Sequence, residues 1–177
     1  LVPTDIYPVQ YGEEQCKSKH GFGPGVRSNY LIHYVFGGKG KFRNENGEWD
    51  IGAGEMFLIS PNELTYYEAD KKDPWHYAWI EFNGSLVRFL LKNSEFAASP
   101  VCADKGGVGR IMQKIVVCKE NDFMSLAACL WELIAAISNG EEEVRTQGHE
   151  YVKKAESYIK INIHKKINVT DVAAYIG

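Results

Sequence analysis

Residues 29–84 decide the fold of this chain, and they read NYLIHYVFGGKGKFRNENGEWDIGAGEMFLISPNELTYYEADKKDPWHYAWIEFNG. β-Branched and aromatic residues alternate here with clusters of Gly, Pro, Asn and Asp, which is typical of short antiparallel strands joined by tight turns. This spacing favours a barrel or a sandwich over a parallel sheet, because parallel strands need helices between them. The predicted strands are 30–36, 39–44, 48–51, 56–59, 64–69 and 75–82.

The composition indicates a folded protein with a hydrophobic core. The 177 residues are 45% apolar, and the formal net charge of −3 gives no global basic field for binding nucleic acid. The first residues lack a signal-peptide pattern, and no apolar run reaches membrane-spanning length. We therefore expect a cytoplasmic protein with no membrane partner. Because the chain begins with Leu1 instead of Met, we expect it to have been trimmed or processed.

The cysteines and the first glycine cluster carry no recognisable chemistry. Cys16, Cys102, Cys118 and Cys129 lie far apart and lack CxxC spacing, so free thiols are expected instead of disulfides or a zinc site. The glycines of residues 21–25 are not followed by the GK[ST] signature of a phosphate-binding loop, so a plain connecting loop is expected there.

The last of these strands carries the strongest binding signal. Alternation places Tyr77, Trp79 and Glu81 on one face, where aromatic rings beside a carboxylate make a good wall for a sugar. The alternative is that the rings only fill a barrel. An inward Glu81 needs a partner, which is Arg27, another side chain or a ligand.

Helical periodicity begins beyond Gly84. Helices are predicted near residue 89, over 108–117 and over 123–138, with Asp122 capping the last of them. Its apolar stripe is wide enough to pack on the barrel or a neighbouring helix and to meet a second subunit, although a monomeric helical hairpin would look similar. The stripe consists of Leu126, Leu130, Leu133 and Ile137.

The C-terminal part of the chain restarts after an acidic stretch. A helix is predicted over 149–162, and a second begins at 168–171. Two helices of this size cannot bury a core alone. They therefore pack on the first domain or begin a second domain that continues past Gly177.

Two sets of residues resemble one known family. The tail motif Ile167-x-Val169-x-Asp171-Val172-Ala173-x-x-Ile176-Gly177, with Tyr158-Ile159 before it, is similar to the opening of the helix-turn-helix domain of AraC-type bacterial transcription regulators. Their N-terminal ligand-binding half resembles Arg27-x-x-Tyr30-Leu31-Ile32-His33-Tyr34-Val35, Gly38-x-Gly40, Gly54-Glu55-x-Phe57-Leu58-Ile59-x-Pro61, Tyr67-x-Ala69-Asp70 and Trp75-x-x-x-Trp79-Ile80-x-Phe82-x-Gly84.

The resemblance implies an α+β fold, with a cupin-like β-barrel (jelly roll) followed by an α-helical dimerisation region. Residues 1–84 would form the effector-binding barrel with its N-terminal arm, which can close over the effector. Residues 85–140 would form the helical dimerisation region, 141–150 a linker, and 151–177 the truncated start of the DNA-binding domain.

The implied function is that of a sensor and not an enzyme. A small effector, often a mono- or oligosaccharide, would bind a homodimer that controls genes for carbohydrate use, with no cofactor and no metal. DNA is a partner of the full-length protein but is not bound specifically by this chain, since the recognition helix would follow Gly177. The resemblance implies Arg27, Tyr67, Tyr77 and Trp79 as ligand-binding residues, and Glu81 is added to them from the alternation along its strand. The expected dimerisation residues are those of the apolar stripe, Leu126, Leu130, Leu133 and Ile137.

Two other interpretations remain open at this point. One is a cupin-type enzyme that modifies sugars or depends on a metal, although cupin enzymes use an HxH pair and no two histidines here have that spacing. The other is a dimerisation module with a filled barrel.

Family members carry histidine at the position of Tyr77, so the resemblance also implies a different recognition of sugar hydroxyls here.

Overall fold

A computed structural model of the chain describes residues 5–119, 122–138 and 147–176. The described chain divides into two compact units, of which the first contains all the strands and three helices and the second contains two helices. Of the predicted linker 141–150, residues 141–146 lie outside the described residues.

The first unit is built from two antiparallel sheets. The five-stranded sheet has the order β1-β8-β3-β6-β9, and the four-stranded sheet has the order β2-β7-β4-β5. The strands are Tyr7–Gln15 (β1), Gly21–Gly25 (β2), Tyr30–Gly37 (β3), Lys39–Asn44 (β4), Gly47–Gly52 (β5), Glu55–Ile59 (β6), Thr65–Ala69 (β7), His76–Asn83 (β8) and Val101–Ala103 (β9).

The predicted α+β class is confirmed, and β3 to β8 match the six predicted strands to within one residue at each end. Of the predicted barrel or sandwich, the two sheets form an open arrangement, because each sheet keeps two edge strands and the sheets do not close on each other. The expected loop at residues 21–25 is wrong, since it forms β2 against β7. Gly21 permits this approach, because a Cβ there would collide with the carbonyl oxygen of Tyr67.

β3 is buried on both faces, as its two-sided apolar pattern predicts. Leu31 and Val35 join the core between the two sheets, whereas Ile32 and Tyr34 join the core between the five-stranded sheet and the helices. By the same alternation along β8, Tyr77 lies in the core between the two sheets and Ile80 lies in the core between the five-stranded sheet and the helices. β3 and β8 are neighbours in one sheet, so they carry the wall that separates the two cores.

The helices of the first unit are Val87–Lys92 (α1), Val108–Val116 (α2) and Phe123–Ile137 (α3). They cover the outer face of the five-stranded sheet and confirm the helices predicted from periodicity. The Asp122 side chain accepts a hydrogen bond from the backbone N–H of Ser125, which confirms the predicted cap of α3. No helix in the described part of the chain has the length and apolarity needed to cross a membrane.

The apolar stripe of α3 points into its own unit. Its four members are at most 8% exposed and belong to the core shared with α2 and the sheet: Leu126, Leu130, Leu133 and Ile137. Side chains buried in this way cannot also contact a second subunit, so the prediction that they form the dimer surface needs correction. The opposite face of α3 exposes Met124 and Trp131, at 77% and 43%.

The second unit consists of Gln147–Asn162 (α4) and Val169–Ile176 (α5). Asn168 and Asp171 form a reciprocal cap, in which each backbone N–H donates to the other side chain at 3.0 Å. This pair starts α5 at the predicted position. The Tyr158 and Tyr175 rings, 4.9 Å apart, pack the two helices together.

Candidate functional site

A cleft of about 370 Å³ opens between the two sheets, and we call it the inter-sheet cleft. Strands β1, β3 and β8 contribute to it from the five-stranded sheet, and β2 and β7 from the four-stranded sheet. Four of the five predicted ligand-binding residues line it: Arg27, Tyr67, Tyr77 and Trp79.

Two other grooves are at least as large but have less suitable walls. A groove of about 420 Å³ lies beside α1, between Tyr30 and Phe96, and one of about 590 Å³ lies among Lys19, Lys39 and Lys71 on the four-stranded sheet. The first sets apolar side chains beside the exposed Arg88 and Lys92, and the second is a solvated surface of lysines and carboxylates. The inter-sheet cleft combines aromatic walls with buried polar groups, which is the usual character of a small-molecule site.

Trp79 forms one wall of the cleft, and its position depends on Gly12. The two residues are cross-strand partners in the β1–β8 ladder. A Cβ on residue 12 would lie 2.8 Å from the indole, so the glycine makes room for the ring. Trp79 is half-buried, which leaves part of the indole available to a ligand.

Two tyrosines supply hydroxyl groups. Tyr67 and Tyr77 are 4% and 2% exposed, and burial is the main cause that raises the pKa of each above its ordinary value. Both phenols are therefore neutral at physiological pH and can donate and accept hydrogen bonds. The Tyr77 hydroxyl lies 3.4 Å from Nε2 of His20, which lies 3.4 Å from the Glu14 carboxylate.

Arg27 brings a positive charge to the cleft. Its guanidinium carbon lies 4.2 Å above the centre of the Phe22 ring, and Phe22 in turn stacks on Tyr67 at 5.8 Å. The Nε of Arg27 is buried and has no hydrogen-bond partner in the described chain. The guanidinium is thus fixed by an aromatic face and keeps hydrogen-bonding capacity for another group.

Glu81 has its partners inside the protein. Its side chain accepts hydrogen bonds from Nδ2 of Asn29 at 2.8 Å and from the Gln10 amide, and it does not line the cleft. It lies on the predicted face of β8, but its carboxylate is engaged by two residues that the sequence did not single out. Its partner is therefore not Arg27.

The deeper space between the sheets is filled by side chains, so the interpretation of the aromatic residues as core is correct for part of them. Phe42, Phe57 and Trp75 are fully buried there. Trp75 Nε1 donates to the carbonyl oxygen of Ile51 at 3.0 Å, which satisfies its polar atom. The cleft is the open end of this packed layer.

Sequence reasoning missed His33, which forms the floor of the cleft. Alternation along β3 placed it on the same face as Leu31 and Val35, but nothing in that pattern separated a histidine in the core from one at a binding site. Gln10, Glu14 and His20 also line the cleft and were not predicted.

Other chemistry is sparse in the described residues. The four cysteines are free, as expected. No group of three His, Cys, Asp or Glu side chains that could hold a metal ion is found among the described residues.

The sequence profile of the AraC-like ligand binding domain matches residues 7–154, a range that contains both sheets and the cleft. The chain belongs to the AraC-like ligand-binding domain family. The match confirms the family predicted from the motifs between Arg27 and Gly84, and it makes the inter-sheet cleft the candidate ligand site of an AraC-like domain.

Three curated relatives of this AraC-like chain are operon regulators. The Msm operon regulatory protein of Streptococcus mutans is 28% identical, over 96% of this chain and 65% of its own length. The raffinose operon transcriptional regulatory protein of Pediococcus pentosaceus is 35% identical, over 49% of this chain and 32% of its own length. The lactose operon transcription activator of Staphylococcus xylosus is 25% identical, over 87% and 62%. This chain thus spans less than two thirds of the length of each.

Proposed function

We propose that this chain is the sugar-sensing domain of a transcription regulator, and that the sugar binds in the inter-sheet cleft. The observation that carries the proposal is the wall formed by Trp79, Tyr77 and Tyr67 with Arg27 beside it. Two relatives are named for raffinose and lactose operons, which supports a sugar as the effector. We infer a sensor and not an enzyme, since these relatives are named as regulators.

The side chains have separate tasks in this proposal. The half-buried indole of Trp79 stacks on the C–H face of a sugar ring. The neutral phenols of Tyr67 and Tyr77 exchange hydrogen bonds with sugar hydroxyls. Arg27 donates to a hydroxyl or ring oxygen through the part of its guanidinium that has no partner in the described chain.

β1 offers a route from the cleft to the helices. Gln10 and Glu14 of β1 line the cleft, while the hydroxyl of Tyr11 donates to the carbonyl oxygen of Cys118 at 2.7 Å, just beyond α2. The expected N-terminal arm corresponds to β1, which is an edge strand paired with β8 from Tyr7 to Gln15. A sugar that binds one arrangement of β1 more tightly would shift the helices toward the matching arrangement.

A homodimer is the second part of the proposal. The exposed face of α3 carries Met124, Ala128, Trp131 and Ala135, which recur every three or four residues as in a helix-to-helix seam. We assign the dimer contact to this face, since the opposite stripe is buried in its own unit. We further propose that DNA is a partner of the full-length regulator and is not bound specifically by residues 1–177 alone, so a gel shift with this chain is expected to give no specific complex.

Thermal denaturation in the presence of raffinose or lactose tests the sugar proposal. A bound sugar stabilises the folded state by mass action, so the midpoint should rise with sugar concentration for at least one of the two. Trp79→Ala should abolish the shift. The control Trp49→Ala should keep it, because Trp49 stacks on Phe42 and does not line the cleft. A shift that persists in Trp79→Ala would contradict this site.

A further inference from the structure

His33 is held rigidly at the floor of the inter-sheet cleft. It is 1% exposed, and its imidazole stacks on Phe57 with ring centres 4.4 Å apart and planes 7° apart. The rings of Tyr67 and Tyr77 meet it edge-on at 5.0 and 4.9 Å. Aromatic contacts on three sides fix the ring plane and therefore the directions of its two nitrogens.

No described residue uses the hydrogen-bonding capacity of this imidazole. Nδ1 is buried and has no hydrogen-bond partner, and neither ring nitrogen is hydrogen-bonded to another described residue. Buried polar atoms in native proteins are nearly always hydrogen-bonded, and each exception calls for an explanation. A core position stacked among aromatic rings would be better filled by phenylalanine, so packing alone does not explain a histidine there.

The surroundings also keep the imidazole uncharged. Burial, and after it the positive charge of Arg27, lower the pKa of His33 to about 3. A neutral imidazole has one N–H donor and one acceptor nitrogen. It can therefore pair with a hydroxyl group in either direction, and it contacts the rings of Tyr67 and Tyr77, which line the same cleft.

We propose that His33 determines which sugar is accepted, by hydrogen bonding through its imidazole to one hydroxyl of the bound ring at the floor of the cleft. The inference rests on the proposed sugar function and adds a residue that discriminates among sugars. A sugar with that hydroxyl removed or inverted leaves the imidazole unpaired in a buried site. Sites built around a hydroxyl reject such analogues far more strongly than apolar pockets reject a change of size.

The test compares His33→Phe with Thr65→Val. Phenylalanine keeps the stacking on Phe57 but cannot hydrogen bond. The control removes a buried oxygen, Oγ1 of Thr65, which has no hydrogen-bond partner among the described residues and belongs to a residue that does not line the cleft. Because each variant removes an unpaired buried polar atom, the melting temperature without sugar should stay the same or rise for both.

Affinities for raffinose, lactose and cellobiose are then measured by calorimetry with the full 177-residue chain. Lactose and cellobiose differ by the inversion of one hydroxyl. His33→Phe should weaken the preferred sugar about 10- to 100-fold and reduce the preference over cellobiose, whereas Thr65→Val should change neither. If His33→Phe does not fold, His33→Leu, which removes ring volume instead of adding it, is measured in the same way.

The outcomes separate this inference from the function on which it rests. Binding that is lost in Trp79→Ala but unchanged in a folded His33 variant overturns the role of His33 alone. A wild-type chain that binds none of the three sugars overturns both. A His33 variant that loses stability without sugar and keeps the same sugar preference shows a structural residue and also overturns the inference.

Discussion

We expect mild acid to destabilise the first unit through His33. Burial and then the charge of Arg27 lower the pKa of this imidazole from 6.5 to about 3. Between these two values the unfolded chain binds a proton that the folded chain does not bind, so the free energy of unfolding falls as pH falls. From pH 7.5 to pH 5.0 the His33 contribution amounts to a loss of about 2 kcal/mol.

Other groups titrate in the same range, so the prediction concerns a difference between two proteins. His33→Phe keeps the ring packing and removes the titration. The free energy of unfolding of this variant minus that of the wild type should therefore grow by about 2 kcal/mol between pH 7.5 and pH 5.0. A constant offset at both pH values, from the removal of an unpaired polar atom, does not affect this change.

Urea unfolding followed by tryptophan fluorescence supplies the measurement. Trp49, Trp75, Trp79 and Trp131 are the four tryptophans of the chain, and all lie in the first unit, so the signal reports that unit alone. If the difference between wild type and variant is the same at both pH values, His33 is accessible to protons in the folded state. Its placement as a neutral group at the floor of the cleft would then be wrong.

Three further predictions concern neighbouring parts of the molecule. Gly12→Ala should displace the Trp79 indole and weaken sugar binding measured by calorimetry. An unchanged affinity would show that the position of the indole does not matter for sugar binding. Asp104→Ala should lower the free energy of urea unfolding by about 1–2 kcal/mol, because the carboxylate accepts hydrogen bonds from three backbone N–H groups at the start of α2. An unchanged free energy would show that Asp104 does not stabilise this helix as a cap. Trp131→Glu should give monomers in sedimentation without loss of stability. Leu130→Ala, on the buried face of the same helix, should instead lower the free energy of unfolding by about 2–5 kcal/mol. If Trp131→Glu still forms a stable dimer, the exposed face of α3 is not the dimer contact.

The cap of α2 also has a pH dependence. Burial disfavours the charged form of Asp104, but the N–H groups of Gly109, Gly106 and Val108 and the Tyr34 hydroxyl outweigh it and lower the pKa of the carboxyl. The stabilisation it gives is present above the ordinary pKa of aspartate and is lost as pH falls through the lowered value. As the pH falls, the loss of stability caused by Asp104 therefore begins at a lower pH than the loss caused by His33.

Local signals predicted the elements well because turns and periodicity are written in neighbouring residues. Asn46-Gly47 and Gly52 to Gly54 marked the ends of β5, and the three- and four-residue spacing of leucines marked α3. β2 was missed because its strand character comes from pairing with β7, which lies about forty residues further along the chain. The open edges of the two sheets are equally a property of long-range pairing.

The site was predicted in part, for a related reason. Alternation along β8 identified the face with Tyr77 and Trp79, but it could not show that Asn29 and Gln10 engage Glu81. An amphipathic stripe shows that something covers a helix, and it does not tell a sheet of the same unit from a second subunit. His33 looked like any residue of a buried strand, because its distinguishing feature is the lack of a partner for its nitrogen.

A crystal structure of the chain grown with raffinose or lactose would show directly whether the inter-sheet cleft holds the effector. We expect a sugar ring stacked on Trp79, with its hydroxyls hydrogen-bonded to Tyr67, Tyr77, Arg27 and His33. Sugar density in the groove beside α1, or a saturated crystal whose cleft stays free of sugar, would contradict it.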